Sequence, residues 1–308
     1  MKKTHLMSVV FVFLAFQSCP GEAQAADSGG ERIHFQFNPP VDVQYQATAR
    51  SNITIDMGGA GRQASEGTVT SNIKITKTEG GYLFVTEPVS VVIKRNGNVV
   101  RDPLTQLIQE SVVSIEADRN GKIISLSGYE NLENKIREKF SEEEVRTLTT
   151  LIKVQELSSR AASEWESRLE GLVGKDFHPG DSWVDAREFQ LPTGEKVAYY
   201  VRTKIENKQP CGERNCVKIA FRYSTQAIDL EIPEQTGPPK AAPSLVAPDQ
   251  EKPGLQIRGF GARVLEPDTM MIHSENSQKI VEVVSTAASP GMPSMKIMEK
   301  NEYRCSLP

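Results

Sequence analysis

From Val41 to Met57 the chain alternates apolar and polar residues with one interruption. Val41, Val43, Tyr45, Ala47, Ala49, Ile53, Ile55 and Met57 fall on one side, broken only by Ser51. A period of two over that length predicts a long antiparallel strand with one buried face. The segment Gly58 to Arg62, "GGAGR", reads as a turn. Val69, Ile73 and Ile75 continue the alternation up to Gly80-Gly81, and Val89, Val91 and Ile93 lie on the next strand, closed by an Asn96-Gly97 turn. Strands longer than the usual 5–6 residues or so favour a large curved sheet over a small barrel.

In "IEADRNGKIISLS" an aligned calcium loop would need a bidentate Glu at its twelfth position, where Ser127 stands. A hairpin with Asn120-Gly121 central accounts for the residues better. It sets Ile115 against Leu126, Glu116 against Ser125 and Ala117 against Ile124, with the positive φ of a type I′ turn at both central residues.

Beyond Gly128 the period changes. Leu132, Ile136 and Phe140 recur every four residues and predict a short helix. Ser141 with Glu144 reads as a capping box. It opens a long helix whose face carries Val145, Leu148, Leu151, Ile152, Leu157, Ala161, Trp165, Leu169 and Leu172, ended by Gly174. Alternation returns in "GDSWVDAREFQL" (180–191), at Val197 to Ile205 and at Val217 to Tyr223. Residues 233–254 then carry six prolines in 22 residues, a stiff extended composition. The 54 residues after it hold strand patterns without a helix, too little for a core of their own. The fold class read from this order is mostly β (α+β). A large curved antiparallel sheet, or half-barrel, carries a central helical insert at 129–174 across its concave face. Residues 26–308 form one domain, with 233–254 as an exposed loop between strands.

Residues 1–25 have the form of a secretory signal peptide: Lys2 and Lys3, the apolar run Leu6–Phe16, then Ala23-Gln24-Ala25 as a small-x-small cleavage site. Lipidation at Cys19 is the rival reading, but Phe16-Gln17-Ser18 is a poor lead-in. The expected location is periplasmic or secreted. The chain has 36 basic and 40 acidic residues. Removing Lys2, Lys3 and Glu22 with the leader leaves 34 against 39, a net charge of −5. Such a balance offers no electrostatic reason to bind nucleic acid. No segment approaches the roughly 18 apolar residues of a membrane-spanning helix.

The mature chain keeps Cys211, Cys216 and Cys305. In an oxidising compartment the preferred disulfide is Cys211 with Cys216 around "GERN", and the competitor is Cys216 with Cys305. His34, His178 and His273 are scattered and do not supply paired zinc ligands, so no metal and no cofactor are expected. The chain has no Gly-x-Ser-x-Gly elbow, no His-Glu-x-x-His helix and no phosphate-cradling Gly-Lys-Ser/Thr loop. The expectation is a protein that is not an enzyme and has no catalytic residues.

Taken together, the leader, "ADRNGKIISLSGYENL", "FHPGDSW" and the terminal strands "GFGARVLEPDTMMIHSENSQKIVEVV" and "MKIMEKNEYRCSL" resemble bacterial periplasmic proteins. Their architecture is that of the LolA/LolB and LppX lipoprotein and lipid carriers. The resemblance implies a half-barrel with helices over its mouth and an apolar groove for acyl chains. It supplies no ligand signature, so no functional residue transfers. On the concave side Tyr45, Val91, Leu148, Leu151, Trp165, Ile219 and Phe221 are the candidates to line such a groove. The ligand expected is a lipid or other hydrophobic molecule. The alternative is an envelope adaptor that binds another protein through edge strands or the loop at 233–254.

Overall fold

The computed structural model describes residues 17–18, 31–58, 61–100, 107, 111–151, 154–169, 171–190, 196–226, 255–283 and 295–306. Nearly all of the leader and the whole of 233–254 lie outside the described residues. The elements are β1 (Gln17–Ser18), β2 (Ile33–His34), β3 (Gln44–Asp56), β4 (Arg62–Lys77), β5 (Gly81–Arg95), β6 (Asn98–Val99), β7 (Val113–Asp118) and β8 (Ile123–Ser127). Next come α1 (Leu132–Lys139), α2 (Glu142–Leu151), α3 (Val154–Leu169), β9 (Asp176–Phe177), β10 (Ser182–Gln190) and β11 (Lys196–Cys211). The chain finishes with β12 (Arg214–Ser224), β13 (Leu255–Leu265), β14 (Ile272–Val283) and β15 (Met295–Ser306).

One antiparallel sheet takes up almost all of these strands, in the order β1-β10-β11-β12-β13-β14-β15-β3-β4-β5-β7-β8, with β6 on β5. It is not closed. The strands before and after the helices are joined where β15 pairs with β3, from Lys296 opposite Asp56 to Ser306 opposite Gln46. The mostly β fold with a large open antiparallel sheet and few helices is as the alternating sequence implies.

In β3 the alternation translates directly into faces. Tyr45, Ala47 and Ile53 are buried, and so is Ser51, the single polar break in the pattern. On β5 the pattern misleads. Thr70 pairs with Ser90 but Ser71 pairs with Pro88, so Val89 is squeezed out as a bulge and stands 56% exposed. Pro88 has no N–H to give the ladder, which makes this a natural point for the extra residue. The bulge shifts the phase: Tyr82 and Phe84 face inward before it, Ile93 after it.

The two Asn-Gly turns differ. Asn96 (φ 48°) and Gly97 (φ 83°) are both left-handed, as a two-residue type I′ turn demands. At 118–122 only Gly121 (φ 82°) has positive φ. The Asp118 carbonyl accepts the Gly121 N–H at 3.0 Å, and the Asp118 N–H donates to the Lys122 carbonyl at 2.8 Å. This is a three-residue loop with a glycine bulge, not the two-residue turn the sequence implied. Asp118 decides it: its carboxylate accepts from the N–H groups of Asn120 and Lys122 at 2.8 and 2.9 Å. Ile115 still faces Leu126 and Glu116 faces Ser125, but Ala117 pairs with Ile123.

Among the described residues the helical region comprises α1, α2 and α3, and residues 152–153 between the last two lie outside them. The expected long helix is described as α2 and α3, and it stops at Leu169, with left-handed Gly171 and Gly174 after it. Leu172 lies beyond the helix yet is buried. Ser141 and Glu144 do form a cap, in altered form: the Glu144 carboxylate accepts both the Ser141 N–H (2.9 Å) and its hydroxyl (2.7 Å). Leu132, Ile136 and Val145 make a small core of their own with Leu107. α3 packs elsewhere, with Trp165 and Leu169 against the main core.

Gly121 sits under that helix. A methyl group there would come within 2.6 Å of Leu169 Cδ1 and 3.1 Å of the Phe37 ring. Gly121→Ala is therefore expected to lower the unfolding free energy by about 1–3 kcal/mol, from overpacking added to a disfavoured φ. Asn120→Ala, whose backbone is not left-handed, should stay within about 0.5 kcal/mol. Urea unfolding of the two variants checks the pair.

Candidate functional site

Strand register aligns inward-facing residues into rows across the concave wall. At the rim formed by the β11–β12 hairpin and the β13–β14 turn, the wall is apolar and already covered. Tyr45, Ile75, Phe84, Ile205, Val217 and Leu265 meet Ile33, Phe35, Phe37 and Phe177 in one core. The covering segment is tied down by its backbone: Phe35 N–H donates to the Lys175 carbonyl, and Gly174 N–H to the Phe35 carbonyl. Trp165 of α3 lies 4.7 Å from Phe84 and 6.1 Å from Phe37, ring centre to ring centre, and its indole N–H donates to the Gly121 carbonyl at 2.7 Å. Trp183 stacks on Phe177 at 5.1 Å. Each ring is satisfied by its neighbours, as a packed end requires.

The middle of the wall is charged. One row runs Ile205, Ile219, Arg263, Glu275, Tyr303, Ala49, Val69, Val91. Another runs Tyr223, Gly259, Lys279, Glu299, Ile53, Ser65, Arg95. Arg263 Nε donates to Glu275 at 2.9 Å, and Lys279 Nζ lies 3.3 Å from Glu299, with both members of the second pair under a tenth exposed. From α3, Arg168 lies 5.5 Å above the Tyr303 ring, and its carbonyl accepts from Arg263 at 3.3 Å. Burial would raise the Glu275 carboxyl, but the Arg263 and Arg168 guanidiniums outweigh it and hold the group below the usual carboxylate range. Burial pulls the Lys279 ammonium down, against the opposing pull of Glu299. Between these two rows Gly261 makes room for a ring: a methyl there would collide with Phe221, its partner on β12.

Toward the opposite rim the wall becomes apolar again. Ile257, Val281, Ile297 and Ile55 stand opposite one another on four strands. Ile257 and Val281 are buried, Ile297 and Ile55 half-buried. Beside Ile55, at the end of the Lys279–Glu299 row, lies a cavity of about 110 Å3 lined by Ile53, Ile55, Gln63, Ala64, Ser65, Arg95 and Asn96.

The residues expected to line a groove are distributed over these zones. Tyr45, Trp165 and Ile219 share the covered core, where Tyr45 donates to the Pro40 carbonyl at 2.9 Å and burial pushes its phenol up to about 12. Phe221 belongs to a second core with Tyr199, Val201, Ile257 and Val281. Val91 lies half-buried on the Ile219 row. The side chains of Leu148 and Leu151 fall outside the described residues, as does the loop at 233–254. Among the described residues the wall thus falls into three bands, apolar, charged and apolar. The sequence offered a signal for the charged band in the positions of Lys279, Glu275 and Glu299 on inward phases. Without strand register nothing paired them.

Cys211 and Cys216 are disulfide-bonded, with Cα atoms 5.8 Å apart, and Cys305 is free. His34 pairs with Asp176 at 2.8 Å on the surface, and the backbone N–H of His178 donates to the Asp181 carboxylate at 2.7 Å. His273 is a different case: a ring nitrogen lies within 4.8 Å of both disulfide sulfurs. Among the described residues no helix is long and apolar enough to cross a membrane, a statement that does not extend to strands.

Removing one member of a buried ion pair leaves the other charge unpaired. Lys279→Met is expected to cost about 3–5 kcal/mol, while Lys279→Met with Glu299→Leu should recover most of it. Chemical denaturation of the single and double variants measures this. Glu275 is depressed in the folded state, so its stabilisation is present above the unfolded carboxylate pKa of about 4.3 and disappears as pH falls through the lower folded value. Glu275→Gln should flatten the acid limb of the stability–pH curve, read by thermal unfolding from neutral pH downward.

No family model matches the chain, and no curated protein matches it. Among solved structures it is similar to an exported-protein candidate with a YmcC-like fold from Bacteroides fragilis, at 10% identity and a TM-score of 0.28, over 86% of this chain and 97% of that one. DynF from the dynemicin biosynthesis pathway of Micromonospora chersina is matched at 7% identity and 0.20, over 94% and 92%. The β domain of the Bordetella autotransporter BrkA is matched at 7% identity and 0.22, over 85% and 99%. At these values the likenesses carry no argument, and a kinship with the LolA, LolB and LppX carriers is not shown by them.

Proposed function

We propose that the protein is an exported, non-catalytic envelope protein that binds a lipid-like anionic amphiphile at the rim of its sheet opposite the aromatic core. The observation that carries this reading is the cavity at Arg95, where a guanidinium stands beside Ile53 and Ile55 and next to the strip Ile55, Ile297, Val281, Ile257. A cavity of 110 Å3 is smaller than the roughly 300 Å3 that encloses a whole ligand. It suits the polar group alone. Arg95 already has a partner within the fold, but a guanidinium carries five N–H donors and a permanent charge, so a carboxylate or phosphate in the cavity would add to that contact. The half-buried Ile55 and Ile297 give the adjoining chain an apolar bed. The leader, with Lys2, Lys3, the Leu6–Phe16 run and Ala23-Gln24-Ala25, supports export.

Protein purified from the envelope should release an anionic amphiphile on solvent extraction, and the delipidated chain should bind a fluorescent fatty acid. Arg95→Ala and Ile55→Asp are each expected to weaken that binding about tenfold or more, a loss of about 1.4 kcal/mol. Extraction without lipid and no fatty-acid binding by the wild type would remove the reading. So would equal binding by both variants.

A further inference from the structure

The geometry points to a second site, at the rim opposite the cavity: with the Cys211–Cys216 bridge reduced, the two thiolates and His273 form a soft-metal site for zinc(II) or copper(I). The three residues come from different parts of the sheet. Cys211 ends β11 and Cys216 follows on β12, across the tight turn at Gly212 (φ 69°). His273 reaches them from β14, at the irregular step where Val264 pairs with Ser274 but Leu265 pairs with Ile272. That step leaves His273 without a ladder partner on β13 and frees its position to depart from the strand's regular alternation. The outcome is two sulfurs and an imidazole nitrogen all within 4.8 Å of one another. Zinc bonds of about 2.3 Å to sulfur and 2.0 Å to nitrogen put ligand atoms roughly 3.5–4 Å apart around a tetrahedral ion, so small rotamer changes close the set.

The surroundings are those of a ligand histidine. Nε2 of His273 lies 2.7 Å from Glu266 Oε1, and the Glu266 carboxylate, 6% exposed in its side chain, is itself held by Arg214 at 2.9 and 3.2 Å and by the Thr269 hydroxyl at 2.9 Å. A carboxylate that receives one ring N–H fixes the tautomer whose other nitrogen has the lone pair for a metal. Two sulfurs and one imidazole suit borderline and soft ions, not magnesium or calcium. A fourth position remains for water or an exogenous ligand.

The chemistry balances as follows. A dithiol reductant gives two electrons and two protons to the bridge, the S–S bond breaks, and the reductant leaves as its own disulfide. On metal binding both thiol protons go to solvent and two metal–sulfur bonds form with one metal–nitrogen bond. The bridge thus acts as a lock: oxidised, the sulfurs are bonded to each other and unavailable as thiolates.

The test is an anaerobic titration of the full mature protein with zinc(II), and separately copper(I), against a competing chelator, in oxidised form and after removal of a phosphine reductant. The reduced protein should take up one equivalent at least about 100-fold more tightly than the oxidised. His273→Ala should lose at least about tenfold, and Glu266→Gln a similar factor. Cobalt(II) loaded into the reduced wild type should show a thiolate charge-transfer band, a readout that depends on no variant. Equal uptake by oxidised and reduced protein overturns the assignment, as does a His273→Ala protein that binds like the wild type or cobalt without the sulfur band.

Discussion

The pairing of β15 with β3 is the contact on which the architecture depends. It is the point where the end of the chain returns to the first long strand and makes one wall of two sets of hairpins. Without those backbone hydrogen bonds each set would present an open edge on an inner strand. With them the wall's edges retreat to β8 and to the β10 side. A sheet of this extent curls, because every strand pair adds twist, and its inner face must then be covered. The chain covers one rim with its own aromatic residues from 33–37, 165–169 and 177.

The charged band fixes how that wall is assembled. Lys279 stands directly opposite Glu299, and Arg263 opposite Glu275. A one-residue slip between β14 and its neighbours would turn these groups to the other face and leave their partners buried alone. Unpaired burial costs several kcal/mol per charge, so the band penalises wrong registers more than it stabilises the right one. It also separates the wall's two apolar ends. One end is a packed core, while the other keeps a small cavity beside a guanidinium, and the proposed ligand site belongs to the second.

The redox and ligand features lie at opposite rims for a topological reason. Hairpin tips such as 211–214 and the β13–β14 turn converge at the covered rim. Cys211, Cys216, Glu266 and His273 therefore meet there, although up to 62 residues separate them in the chain. The ladder runs the other way to the Arg95 cavity.

Much of the fold was legible in the chain because its signals are local. The alternation at 41–57 requires a strand with one buried face, the period-four residues at 132–140 require a helix, and Cys211 with Cys216 across a tight turn are close enough to bond. The misread places are those where one residue overrides the pattern. Pro88 forces a bulge that expels Val89, and the Asp118 carboxylate converts an expected type I′ turn into a three-residue loop. What only the tertiary structure decided is which inward positions meet. Register put Lys279 on Glu299 and His273 beside the disulfide, and folding filled with Trp165 and Tyr45 a face that alternation alone marks as apolar. Periodicity specifies the face of a strand but not its neighbour, and the contents of a concave wall depend on neighbours.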